Sequence, residues 1–153
     1  MRSLIVAGIQ LVLSKGNSET NRKKAESFIL AAKQKGAELI VLPELFSSGY
    51  FVTSEIWDYA EHDEGPTVIW MKTLSEKYGI YLGAGLIEKN GRDFLNSFYL
   101  TTPSGTLAGK THKDNGEAYV FRRDKGSYII ETDIGRIGVG TVSYTHLRAH
   151  ETK

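Results

Sequence analysis

"AELIVLP", residues Ala37–Pro43, is the stretch on which the fold turns. Leu39 to Leu42 make an unbroken apolar run that follows closely on Gly36 and ends at Pro43. So short a run between two breakers reads as a strand covered on both faces. Just before it, Ala25, Phe28, Ile29 and Ala32 recur at helical spacing. Asn17 or Ser18 can cap that helix and Gly36 stops it. Earlier still, Ser3–Leu11 is near-continuously apolar and reads as a first buried strand. A strand, a helix and a strand in this order form a crossover, and crossovers make parallel sheets.

Working forward, Glu44–Gly65 is loop-rich, with a short helix expected near Ser54–Ala60. Pro66 suits the first turn of a helix whose inner face is Val68, Met71, Leu74, Ser75 and Tyr78, ended by Gly79. "IYLGAGLIE" (Ile80–Glu88) is a third strand, and Asn90-Gly91 turns it into "DFLNSFYLTT" (Asp93–Thr102). Pro103-Ser104-Gly105 turns again into "TLAGK" (Thr106–Lys110). After a polar loop, "SYIIET" (Ser127–Thr132) and "RIGVG" (Arg136–Gly140) pair around Asp133-Ile134-Gly135. The pattern predicts an α/β fold with a mixed sheet and helices on one face.

The totals narrow the function classes. The chain has 153 residues, a one-domain length, with 41% apolar and 24% charged residues. Its formal charge is +1, from 19 Lys and Arg against 18 Asp and Glu, which points to neither nucleic acid nor an anionic membrane as partner. No apolar run approaches the roughly 18 residues of a membrane helix. The N-terminus lacks the shape of a secretory signal, so a cytoplasmic protein is expected. Cysteine is absent, which excludes disulfides and thiolate metal sites for the chain as given.

Three residues stand where chemistry is usually done. Glu44, in "VLPELFSSGY", follows a buried parallel strand and so lies at the carboxyl end of a sheet, where open α/β folds bind ligands. Burial there would make it a usable general base, and hydrogen bonding to loop amides is the alternative. Lys110, in "LAGKTHKDNGEAYVF", ends a strand and can point into a site mouth, where an ammonium can hold an oxyanion; a surface lysine is the alternative. Glu117 follows beside Tyr119 and Phe121, either orienting the lysine or a substrate amine, or simply exposed.

Taken together, these motifs resemble the nitrilase superfamily of carbon–nitrogen hydrolases. "VLPELFSSGY" is similar to that family's glutamate motif, and "GKTHK" with Glu117 to its lysine motif and second glutamate. "GRIGVG" (Gly135–Gly140) resembles the strand leading to its cysteine. Their order and spacing agree, and the resemblance covers roughly the N-terminal half of a member. It implies part of an α-β-β-α sandwich and a homo-oligomeric parent enzyme. It also implies hydrolysis of a small amide or carbamoyl amine, with nitriles as the lesser option, through a cysteine thioester. Glu44 would be the general base, Lys110 the oxyanion stabiliser and Glu117 their support, with no metal or organic cofactor.

The resemblance also places the nucleophile at residue 142, which is Val142 in this chain. "VSYTHLRAHET", Val142–Thr152, reads as one frame of a transposon-type sequencing adapter. We therefore expect 1–141 to be the N-terminal part of a hydrolase domain, and 142–153 to be a non-native tail, with the chain itself inactive. The alternative is a non-catalytic binding or interaction module on the same fold. A doubly wound nucleotide-binding domain is disfavoured, because no glycine-rich phosphate loop is present.

Overall fold

A computed structural model describes residues 3–51, 53–113 and 128–140. Glu117, Val142 and the whole stretch 142–153 lie outside the described residues. Strands β1 (Val6–Gly8), β2 (Leu39–Val41), β3 (Tyr81–Asn90), β4 (Asp93–Thr101) and β5 (Leu107–His112) form one sheet in that order. The first three strands run parallel and the last three antiparallel. β6 (Ile129–Thr132) and β7 (Gly135–Gly138) form a separate two-stranded sheet. Among the described residues, no helix is long and apolar enough to cross a membrane.

Both crossover helices lie on one face of the larger sheet. α1 (Ser18–Gln34) starts at Asn17, whose side chain accepts from the Thr20 amide. Its buried stripe is Asn21, Ala25 and Ile29, while Phe28 is half-exposed, so the apolar spacing slightly misjudged the inner face. α2 (Pro66–Tyr78) begins on a proline and ends at Gly79 in the left-handed conformation, a stop that only glycine makes without strain. Ala25, Ile29, Val68 and Met71 pack against Ile40, Leu82, Ala84 and Leu86 from the sheet. The β6–β7 hairpin covers the other face, where Ile130 and Ile137 meet Leu39, Tyr81, Phe98 and Leu100. The result is a helix, sheet, sheet layering, the mixed sheet with helices on one face.

β1 departs from its expected double cover. Ile5 and Val6 are 51% and 53% exposed, because β1 is an edge strand with a neighbour on one side only. Its apolar residues are at best partly covered: Ala7 and Ile9 pack partly against the helical core, while Ile5 and Val6 stay open.

β3 carries glycines where other chain segments cross it closely. A Cβ on Gly85 would sit 2.9 Å from the Glu44 Cα and 3.1 Å from the Leu45 nitrogen, both backbone atoms that cannot swing away. We expect Gly85→Ala to cost about 1–3 kcal/mol in urea unfolding, as overpacking does, and to displace Glu44. A change below about 0.5 kcal/mol would mean the Glu44 turn yields freely.

Candidate active site

Glu44 is presented by a turn pinned at both ends. The Leu42 amide donates to Gly83 O at 2.8 Å and the Phe46 amide to Gly85 O at 2.7 Å. Between these bonds the chain leaves the β3 ladder, and Leu45 takes a left-handed φ of 50°. A non-glycine residue in that region is uncommon, and such strain collects at functional sites. The turn lifts Glu44 over Gly85 and onto the hairpin-facing side of the sheet.

There its carboxylate meets two donors. Glu44 Oε1 accepts from Asn96 Nδ2 at 2.6 Å and from Lys113 Nζ at 3.1 Å. The Lys113 side chain is only 4% exposed, while that of Glu44 is 41% exposed. The expected burial of Glu44 is therefore not what the described residues provide; its lysine is the buried partner. Glu44, Asn96 and Lys113, with Val41, Phe98, Thr111, Ile137 and Val139, line a cavity of about 310 Å³ between the sheet and the hairpin.

The expected convergence of Glu44 with Lys110 is corrected by this geometry. Tyr99 pairs with Lys110 in the β4–β5 register, and Phe98 with Thr111. Side chains alternate along a strand, so Lys110 shares the Tyr99 face, packed under the helices, and Lys113 faces the opposite way. The Lys113 amide continues the ladder, donating to Asn96 O at 2.9 Å. Lys110 Nζ instead binds Asp63 Oδ1 at 2.7 Å and Glu88 Oε1 at 2.6 Å, 5.6 Å from the centre of the Tyr99 ring. "GKTHK" holds two lysines an odd number of residues apart. On a strand, that spacing alone separates them onto opposite faces. Sequence reasoning also passed over Asn96, which carried no signal beyond a polar residue inside an apolar strand.

The Lys110 cluster has its own electrostatics. Burial would raise the Asp63 pKa, but hydrogen bonds from Lys110 and Tyr99 outweigh it and hold the carboxyl below the usual aspartate range. Burial would likewise lower Lys110, yet its bonds to Asp63 and Glu88 keep the ammonium above the ordinary lysine value. The Tyr99 hydroxyl is pushed up by burial and then by the charges of Glu88 and Asp63, so it stays a neutral donor to Asp63. A depressed Asp63 stabilises the fold above its unfolded pKa of about 3.9, and that contribution is lost as pH falls through the folded value. A raised Lys110 stabilises below about 10.4, and its contribution is lost as pH rises through the folded value. The Tm difference between this chain and Lys110→Met should therefore be flat from about pH 5 to 9 and shrink at both extremes. A difference still constant at pH 3 would show that the Asp63 contact adds nothing.

Comparison with known proteins agrees with the fold. The carbon-nitrogen hydrolase family model matches residues 5–147. The chain belongs to the carbon–nitrogen hydrolase family. The match extends past Val142, so it does not mark the boundary expected there. This hydrolase-family chain is 34% identical over 152 residues to the citrullinase of Francisella tularensis, covering 92% of this chain and 53% of that protein. It is 31% identical over 150 residues to the N-carbamoylputrescine amidase of Solanum lycopersicum, covering 90% of this chain and 50% of that protein. The solved structure of Saccharomyces cerevisiae Nit3, a member of branch 10 of the nitrilase superfamily, superposes with a TM-score of 0.80 at 28% identity. That superposition covers 90% of this chain and 54% of the other. The chain spans about half the length of the curated relatives it matches.

Proposed function

We propose that this chain is the N-terminal part of a longer carbon–nitrogen hydrolase that cleaves a small amide or carbamoyl amine, with nitriles the lesser option. The observation that carries the reading is the buried Lys113 ammonium 3.1 Å from Glu44 Oε1 at the rim of a cavity. A carboxylate beside a fixed ammonium can move a proton while the ammonium holds negative charge on a carbonyl oxygen. The names of the citrullinase and the N-carbamoylputrescine amidase favour a carbamoyl or amide substrate over a nitrile.

In this reading a cysteine thiol, supplied in the longer protein, gives its proton to Glu44 as its sulfur attacks the carbonyl carbon. Lys113 holds the oxyanion. The carbon–nitrogen bond breaks, Glu44 returns the proton to the leaving amine or ammonia, and a thioester remains. Water then gives a proton to Glu44, attacks the thioester and releases the acid, and the thiol is restored. Glu117 is assigned to supporting the lysine or placing the substrate. Lys110, given this role from sequence, is replaced in it by Lys113.

The test is a set of substitutions in the longer, thiol-bearing protein, read by ammonia release from a panel of amides and carbamoyl amines. Glu44→Gln should lower kcat by about 10²–10³-fold as loss of a general base, and Lys113→Ala by a similar factor as loss of an oxyanion donor. Lys110→Ala should leave kcat per folded molecule close to normal. Normal turnover by Lys113→Ala beside an inactive but folded Lys110→Ala would return the role to Lys110.

A further inference from the structure

We propose that Asn96 is the positioning residue of the Glu44 carboxylate, and that Oε2 is the oxygen that carries the proton. This rests on the reading of Glu44 as the general base.

Asn96 projects from the middle of β4 and is only 5% exposed. Its amide donates to Glu44 Oε1 at 2.6 Å, and its backbone carbonyl accepts from the Lys113 amide at 2.9 Å. One residue therefore ties down both members of the pair, the carboxylate through its side chain and the lysine through the ladder. The nitrogen end of the amide must face Glu44, since its oxygen would meet a carboxylate oxygen with no proton between them.

Oε1 receives a second donor, Lys113 Nζ at 3.1 Å. A carboxylate oxygen has about two lone-pair sites, so two donors fill it. Oε2 makes no hydrogen bond among the described residues. The two oxygens, equivalent in the free side chain, are thus made different: one is anchored and the other keeps lone pairs for a thiol, water or amine proton.

A neutral donor suits this task. A second cation on Glu44 would stabilise the anion further and weaken it as a base, while a carboxylate at 96 would repel it. An amide orients without titrating.

The experiment uses the longer, thiol-bearing protein, with kcat and KM measured separately and rates divided by the folded fraction from near-ultraviolet circular dichroism, so that unfolded material does not count. Asn96→Ala should lower kcat by about 10–10²-fold with KM changed less than about twofold, as expected when a catalytic group is loosened by a fraction of an ångström. Asn96→Asp is near-isosteric but cannot donate when ionised, and should fall by a similar factor. In a Glu44→Gln background, Asn96→Ala should add little to the loss, because residues acting as a unit are not additive. Wild-type kcat in Asn96→Asp, or a full additional loss in the Glu44→Gln background, would overturn the positioning role. Normal turnover by Glu44→Gln alone would instead overturn the reading on which it rests.

Discussion

Assayed as it stands, this chain should release no amine or ammonia from any amide, carbamoyl or nitrile substrate. It contains no cysteine, so no thioester can form. Loss of the nucleophile costs on the order of 10⁶ in kcat in subtilisin, which would put any residual rate below detection. Val142→Cys alone should not restore turnover. A working thiol has to be held against Glu44 Oε2 and the Lys113 ammonium, and misplacement by about 1 Å can cost 10²-fold. Glu44 is 41% exposed on its open side, so the described residues do not enclose the reaction. The longer protein carrying a cysteine should hydrolyse its substrate, and removing that cysteine should return the rate to background. Brisk hydrolysis by the chain carrying only Val142→Cys would show that Glu44 and Lys113 need no further support.

The second large effect falls on stability and separates the two lysines of "GKTHK". Lys110→Met removes the ammonium from Glu88, whose side chain is 6% exposed. Glu88 would keep its hydrogen bond from Ser97 Oγ at 2.7 Å and the His112 Nδ1 contact at 3.3 Å, but lose the lysine ammonium. Removing one partner of a buried pair leaves an uncompensated charge and typically costs about 3–5 kcal/mol. Urea unfolding of the variant should show a loss in that range. Adding Glu88→Gln should recover most of it, since the remaining group is then neutral. A loss below about 1 kcal/mol in the single variant would mean that water reaches Glu88 and the pair behaves as a surface one.

Much of the architecture was written locally. Pro43 after Leu39–Leu42, Gly36 and Gly79 after their helices, Pro66 at a first turn and Gly91 between β3 and β4 are each dictated by backbone sterics within a few residues. These signals set the element order, the crossover that makes the first strands parallel and the hairpins that follow. They also put Glu44 at the carboxyl end of β2. The membership of the family followed from the same ordered motifs.

The composition of the site was decided elsewhere. Alternation along β5 says that Lys110 and Lys113 face opposite ways, but it does not say which way is toward Glu44. That depends on the β4–β5 register, which shifts at Leu100 and Thr101 where Leu100 pairs with Gly109 and Thr101 with Leu107. A bulge changes which residues share a face, and nothing local to "GKTHK" announces it. Asn96 and Asp63 were silent for the same reason. Asn96 lies 52 residues from Glu44, and Asp63 lies 47 from Lys110. A sequence determines by itself what neighbours along the chain can do to one another. Only the packed sheet decides which distant donor reaches which carboxylate, because a hydrogen bond requires contact within about 3 Å.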